Sequence, residues 1–365
     1  MSTCVDHRFM AVAMQLARRG WNTTPPNPRV GCVLVRDEQI IGRGWHVRTG
    51  EPHAEINALQ DCKTDPTGST CYVILEPCAH SGRTGPCYQA LIDAGISRVV
   101  TAMQDPNPKV SGKGLALLSA AGIQTEAGIM QQQAEALNPG FCKRMRTGLP
   151  WLRSKLAMSV DGRTALANGE SRWITSAQAR ADVHRWRAAS AAIVTGIGTV
   201  LADDPRLTAR PGGILAERQP LRVIMDRQLR LPLTASVLQQ PGRAVVFTRQ
   251  TTGTDALVNT GVEIEYITAT ENSAQLREVM QQLAARWEIN DVLVEAGAEL
   301  NGQLLAANMI DELIIYIAPT MLGDKARGLL QLPLLENMQQ RPEFEITDMR
   351  RLGPDIRLTL RPVAA

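Results

Sequence analysis

Two short stretches of this chain carry side chains that can hold a metal. His53-Ala54-Glu55 stands at the start of a helical pattern, and Glu76-Pro77-Cys78 follows an apolar, strand-like run. Cys87 comes nine residues after Cys78, at the start of another helical pattern. One imidazole and two thiolates fill three positions of tetrahedral zinc and leave the fourth for water. Residues i and i+2 point to different sides of a helix, so a metal held by His53 lies off the helix end, within reach of Glu55. Helix starts suit this task, because the positive end of the dipole stabilises thiolates. Zinc lowers the pKa of its water to roughly 7, and Glu55 is the group that carries the proton away. The competing reading is a structural zinc site with His80, Cys71 or His46 as fourth ligand, or a set of buried thiols. Cys4, Cys32, Cys62, Cys71 and Cys142 have no partner at metal spacing and read as packing or surface residues.

The second half holds no cysteine but repeats a different device, a strand followed by a glycine turn and a helix start. Thr195-Gly196-Ile197-Gly198-Thr199 is one case, and Glu295-Ala296-Gly297-Ala298-Glu299-Leu300 is another. Free backbone N–H groups at such a turn cradle phosphate. Neither turn is the G-x-G-x-x-G dinucleotide fingerprint, and many such turns bind nothing.

The elements that must position these residues follow from periodicity. A helix is expected over 7–19, then a hairpin of Val30–Val35 and Ile40–Trp45 about Asp37-Glu38. Helices over 55–62, 87–94 and 114–121 alternate with strands over 71–75 and 98–103, which predicts a mainly parallel sheet covered on both faces. Turn residues and basic side chains between Asn138 and Pro150 mark a domain boundary, giving domains 1–148 and 149–365. The second domain alternates again. Strands are expected at 151–158, 191–195, 222–225, 244–248, 291–295 and 313–317, and helices at 177–187 and 273–287. Thr175-Ser176-Ala177-Gln178 reads as a capping box.

All seven cysteines and four of the five histidines fall in the first 142 residues, so metal and thiol chemistry belongs there. An odd cysteine count at irregular spacing excludes a disulfide framework. Lys+Arg 39 against Asp+Glu 36 leaves +3, with 15 basic and 12 acidic side chains over 1–148 and 24 of each thereafter. That balance provides no footprint for nucleic acid or an anionic membrane. Met1 to Met10 carries Asp6, His7 and Arg8, and no run of 18 apolar residues exists, so the expectation is a reduced, cytoplasmic protein.

H-x-E followed by a proline-preceded cysteine pair is the signature of zinc nucleobase deaminases, in which the glutamate moves protons to ring nitrogen and leaving ammonia. The Cys78-x8-Cys87 spacing departs from the usual two-residue gap. Together with Asn27-Pro28-Arg29-Val30-Gly31, Gly42-x-Gly44-x-His46, Cys78-x-His80-x-Gly82-Arg83-Thr84-x-Pro86-Cys87 and Asp105-Pro106-Asn107-Pro108-x-Val110-x-Gly112-x-Gly114, these residues resemble the deaminase half of the bifunctional riboflavin biosynthesis family, which shows that longer gap. Over most of residues 150–360 the chain resembles the reductase half. The carriers are Lys155-Leu156-Ala157-Met158-Ser159-Val160-Asp161-Gly162, Gly169-Glu170-Ser171-x-Trp173-Ile174-Thr175, Leu201-Ala202-Asp203-Asp204-Pro205-x-Leu207-Thr208-x-Arg210, the Gly297 turn and Asp311-Glu312-Leu313.

The resemblance implies a cytidine-deaminase-like three-layer α/β/α domain followed by a dihydrofolate-reductase-like α/β domain, with one zinc per chain and NADPH. His53, Cys78 and Cys87 become metal ligands and Glu55 the catalytic residue. Asn27, His46, His80 and Arg83 become contacts for a pyrimidine ribosylamine phosphate. Ala157, Trp173, Thr199, Asp203 and the Gly297-Ala298-Glu299-Leu300 turn line the cofactor side. Lys155, Ser171, Arg187, Leu207, Arg210 and Glu295 line the substrate side. Lys155, Asp203 and Glu295 are all eligible to supply the proton for ring opening, and the sequence does not choose. A homo-oligomer, dimer or tetramer, is expected, with no nucleic-acid or membrane partner. A nucleic-acid-editing deaminase with a C-terminal binding module and a non-catalytic zinc-stabilised protein are the rival readings.

Overall fold

The computed structural model describes residues 4–79 and 85–363. The chain divides into two compact units, Met1–Leu149 and Pro150–Ala365.

In the first unit, β1 (Gly31–Arg36) and β2 (Gln39–Trp45) form the expected hairpin. Its two-residue turn puts Asp37 and Glu38 at φ 51° and 56°, the left-handed pair that matches strand twist. With β3 (Thr70–Leu75), β4 (Arg98–Met103) and β5 (Gln124–Ala127) they make a sheet of order β2-β1-β3-β4-β5. The sheet is mixed rather than mainly parallel, since β1 runs antiparallel to both β2 and β3 while β3, β4 and β5 are parallel. The hairpin dictates the β1–β2 part of this, because a two-residue turn can only reverse the chain. Among the described residues six α-helices accompany the sheet: α1 (Cys4–Ala17), α2 (Ala54–Asp61), α3 (Cys87–Asp93), α4 (Lys113–Ala120), α5 (Gln131–Leu137) and α6 (Pro139–Thr147). Phe9, Met10 and Ala13 of α1 pack on Val33, Tyr72 and Ile74 in the core.

The turn-rich, basic segment that marks the domain boundary forms α6. Pro139 occupies its first turn, and Gly148 closes it at φ 70°, so the residues that look like turn formers are its two ends. Cys142 is buried within it. Gly42 and Gly44 set the position of α2. A Cβ on Gly44 would lie 2.2 Å from the Ala54 carbonyl oxygen, and one on Gly42 2.3 Å from that of Ala58. Only glycines let α2 lie that close to β2, which fixes where its first turn points.

The second unit is built on a nine-stranded sheet, order β11-β10-β9-β8-β12-β6-β13-β16-β15. Its strands are β6 (Trp151–Ser159), β8 (Ala192–Gly196), β9 (Leu221–Met225), β10 (Ala244–Thr248), β11 (Glu263–Tyr266), β12 (Asp291–Val294), β13 (Glu312–Ala318), β15 (Phe344–Leu352) and β16 (Asp355–Pro362). All are parallel from β11 through β13, and β16 and β15 close the edge as an antiparallel hairpin. β7 (Arg163–Ala165) and β14 (Arg327–Gly328) make a separate pair. The helices are α7 (Ala177–Ala189), α8 (Ile197–Asp203), α9 (Asp255–Val258), α10 (Asn272–Arg286) and α11 (Ala298–Ala306).

The expected capping box at Thr175 is not formed. Ser176 is the N-cap of α7, and its side chain accepts from Ala179 N at 3.3 Å. Sequence pattern also misses the β15–β16 hairpin, because its buried positions are polar: Asp355, Arg357 and Thr359 are buried while Ile346 and Met349 are exposed. Arg357 and Tyr316 both donate to Asp182 Oδ2 at 2.8 Å, so the inward face is held by charge pairing as well as by packing. No helix among the described residues is long and apolar enough to cross a membrane.

Candidate functional site

Three chain segments deliver the metal-type ligands. His53 is the N-cap of α2, Cys78 lies just beyond the end of β3, and Cys87 is the first residue of α3. Their ligand atoms all lie within 4.8 Å of one another. His53 Nδ1 is 3.2 Å from Cys87 Sγ and 3.6 Å from Cys78 Sγ. Ligands bound tetrahedrally at about 2.0 and 2.3 Å stand on the order of 3.5 Å apart, so this donor set fits zinc. Among the described residues the group has three members. Cys71 instead lies 3.4 Å from Cys32, and His80 is outside the described residues. Both nitrogens of His46 are engaged, Nδ1 with Pro52 O at 3.2 Å and Nε2 with Asn27 Nδ2 at 3.1 Å.

Glu55 is buried against this cluster. Burial and the adjacent Cys78 sulfur push its carboxyl up to about 7, while His53 opposes the shift. Cys78 is held down to about 4, first by the Cys87 thiol and then, against burial, by His53 and the Cys87 N–H. The Cys78 sulfur, and then burial, push the Cys87 thiol up.

Asn27 meets His46, whose ring stands edge-on to that of His53 with centroids 5.5 Å apart. Two expected contacts are thus brought beside the metal ligands. Arg83, like His80, lies outside the described residues. Sequence reading missed Glu76 as an anchor. Its buried carboxylate accepts from Gly114 N at 2.8 Å, Gly112 N at 2.9 Å, Asp105 N at 3.1 Å and Leu115 N at 3.4 Å. One side chain therefore ties the loop after β4 and the start of α4 to the segment carrying Cys78.

In the second unit a cavity of about 1380 Å³ opens along the C-terminal ends of the parallel strands. All fourteen residues expected on the cofactor and substrate sides line it. Arg187 donates to Glu295 through Nε at 2.6 Å and Nη2 at 2.9 Å, and through Nη1 to Thr208 O at 3.1 Å. Burial would raise the Glu295 carboxyl, but Arg187, with Lys155 and His184 nearby, brings it down to about 2. Burial lowers the Lys155 ammonium, against the pull of Glu295. Trp173 is 70% exposed, which removes it from the core, and the Arg180 guanidinium lies 4.4 Å from its ring centroid. Leu207 is buried at φ 50°, a left-handed conformation costly for a leucine.

Gly297 is the N-cap of α11, and a Cβ there would meet nothing closer than Thr199 Oγ1 at 4.0 Å. A Cβ on Gly198, inside α8, would meet nothing. Neither glycine is demanded by the fold itself, and both keep the cavity floor open for a group that approaches the backbone. That open floor beside a helix start fits a dinucleotide phosphate.

These two sites define the class: a zinc-type deaminase unit joined to a reductase unit with an open nucleotide cleft. Residues 4–103 match the cytidine and deoxycytidylate deaminase zinc-binding region, and residues 150–358 match the RibD C-terminal domain. The chain is 48% identical to the riboflavin biosynthesis protein RibD of Escherichia coli, over 97% of this chain and 99% of the relative. It is 46% identical to that of Haemophilus influenzae, over 98% and 97%. Solved structures agree. Acinetobacter baumannii RibD superposes with a TM-score of 0.92 at 46% identity, over 99% of each chain. A deaminase/reductase from Thermotoga maritima superposes at 0.86 and 31%, over 98% and 99%. The chain belongs to the RibD family of bifunctional riboflavin biosynthesis enzymes, a deaminase and a reductase that take zinc and NADPH. The nucleic-acid-editing alternative is not favoured.

Proposed function

We propose that the two units divide two consecutive steps on one substrate. Residues 1–149 replace the 2-amino group of a diaminopyrimidinone ribosylamine 5′-phosphate by oxygen, with water consumed and ammonia released. Residues 150–365 then reduce the ribosyl C1′, opening the sugar to a ribityl chain. The Thermotoga maritima relative, described as diaminohydroxyphosphoribosylaminopyrimidine deaminase/5-amino-6-(5-phosphoribosylamino)uracil reductase, supports this substrate. The observation that carries the reading is the convergence of His53, Cys78 and Cys87 beside a buried Glu55.

His53, Cys78 and Cys87 hold the zinc, which supplies Lewis acidity toward water when bound. Glu55 carries one proton from the attacking water to the ring nitrogen, and the second, from the hydroxyl so formed, to the departing amine as its C–N bond breaks. Asn27 presents its amide to the base edge, with His46 fixing its orientation; His80 and Arg83 remain proposed contacts. In the reductase step NADPH supplies hydride when bound. Gly297 to Leu300, with Thr199, hold its phosphates, while Ala157, Trp173 and Asp203 line its other faces. Arg210 and Arg187 take the sugar phosphate side, with Ser171 and Leu207 shaping the pocket. Of the three eligible proton donors, Lys155 fits best. Its ammonium is lowered by burial, whereas Glu295 is committed as a carboxylate to Arg187. The proton goes to the ring oxygen as the C1′ bond to it breaks.

The protein is also proposed to act in the cytoplasm as a dimer or tetramer. Ile346 and Met349, 60% and 68% exposed on edge strand β15, support a covered face. Sedimentation at several concentrations tests it. The enzymatic test incubates purified protein with the diaminopyrimidine phosphate, with and without NADPH. Ammonia should appear in both, and NADPH should be consumed only as deaminated product forms. NADPH consumption without ammonia would overturn the order.

A further inference from the structure

Arg210 reaches the cleft from a segment that belongs to no sheet. Thr208 and Ala209 within it are buried, so their backbone groups need partners from elsewhere in the fold. Gln219 closes on Ala209, accepting from its N–H at 2.9 Å and donating to its carbonyl at 3.1 Å. Arg187 Nη1 donates to Thr208 O at 3.1 Å. His184 stands against both Thr208 O and Arg210 N, each 3.2 Å from its Nδ1. Leu207 turns the chain into this segment at φ 50°, a conformation that persists where the surroundings hold it.

His184 lies one turn before Arg187 on α7, and so on the same face of the helix. It does not itself line the cavity, whereas Arg187 and Arg210 do. A ring nitrogen either accepts or donates, so Nδ1 serves one of its two neighbours. Thr208 O already receives Arg187, while Arg210 N has no other acceptor among the described residues. The assignment that satisfies all three groups is a neutral ring, with its proton on Nε2 and Nδ1 accepting from the Arg210 N–H. An imidazolium would carry a proton on both nitrogens and leave that N–H without an acceptor.

The surroundings favour the neutral ring. Burial lowers the His184 imidazole, and Arg187 on its own helix and Arg210 on the segment it holds lower it further. Glu295, which follows β12, and the Thr208 carbonyl oppose them. The hold is placed at the root of the Arg210 side chain, so a displacement of that backbone is carried out to the guanidinium. Pro211 restricts the same residue from the other side.

We propose that His184 is a positioning residue for the reductase step: as a neutral acceptor it fixes the backbone of Arg210 and so aims the guanidinium at the sugar phosphate. This rests on the reading of Arg210 as a contact for that phosphate.

The test measures initial rates of the full-length protein with NADPH and 5-amino-6-(5-phosphoribosylamino)uracil. The variants are His184→Ala, His184→Asn, Arg210→Ala and the double variant His184→Ala/Arg210→Ala. His184→Ala should raise KM for the pyrimidine roughly tenfold, with kcat within about twofold of the parent. Asparagine places its Oδ1 close to where histidine has Nδ1, so His184→Asn should bring KM back to within about threefold of the parent. Because His184 acts through Arg210, the double variant should be no worse than Arg210→Ala alone. If the thermal midpoint shows that His184→Ala does not fold, His184→Gln, whose amide overreaches the Arg210 N–H, replaces it in each comparison. An unchanged KM, a loss in His184→Asn as large as in His184→Ala, a fall in kcat with KM unaltered, or additive losses in the double variant would overturn the proposal. An unaltered KM in Arg210→Ala would instead remove Arg210 from the phosphate, and the proposal would fall with that reading.

Discussion

The two sites solve different problems with different materials. The site of the first unit is a compact knot, in which three ligand atoms lie within 4.8 Å and the proton carrier is buried beside them. The site of the second unit is a cleft of about 1380 Å³ whose contributors come from five strand ends and several loops. Where the reactive group is held by the protein's own side chains, a few residues at fixed distances suffice. Where a diffusible reagent brings the reactivity, the protein supplies a long, charged, open surface. The contrast also explains why His53, Cys78 and Cys87 stand in the first unit while arginines crowd the cleft of the second.

The sharpest break in this comparison is Glu55→Gln. Deamination should fall by roughly 10³-fold or more, while zinc stays near one per chain by metal analysis and the reductase still accepts deaminated substrate. Loss of zinc instead would make Glu55 a structural support. Next in size is Glu295→Ala, which leaves Arg187 buried without its partner. Unfolding of the second unit should become easier by about 3 kcal/mol, measured by denaturant titration, with ammonia release retained. The pH dependence has a definite sign. Glu295 is more acidic folded than unfolded, so its contribution is complete above about 4.5 and declines as pH falls toward 2. The stability gap between the parent and Glu295→Gln should narrow over that interval. Saturation with NADPH, at a hundred times its dissociation constant, should protect the second unit by about 2.7 kcal/mol. A chelator should leave that protection unaltered. The smallest effect expected is Arg210→Ala, with reductase KM for the sugar phosphate rising about tenfold, roughly 1.4 kcal/mol, and deamination unchanged.

Much of the first site was legible because its chemistry is local in sequence. H-x-E and the proline-preceded cysteine sit at helix starts, and the helix starts are themselves marked by composition. Glu76 was not legible as an anchor, since its four backbone partners lie 29 to 39 residues away and backbone N–H groups leave no trace in a sequence. The α6 helix was hidden because its capping proline and glycine are also the marks of a turn. The parallel strands 191–195, 244–248 and 291–295 were found as apolar runs, whereas the β15–β16 hairpin buries arginine and aspartate and defeats any apolar pattern. His184 was passed over for the same reason as Glu76, since its partners are backbone groups 24 and 26 residues away.

Glu76 has one more consequence. Its carboxylate joins two amides of the loop that follows β4 and two at the start of α4, and it stands two residues before Cys78. The loop and the ligand are therefore mechanically one body. A disturbance anywhere from Asp105 to Leu115 changes the geometry offered to the ion, so the residence time of zinc becomes a gauge of that loop's order.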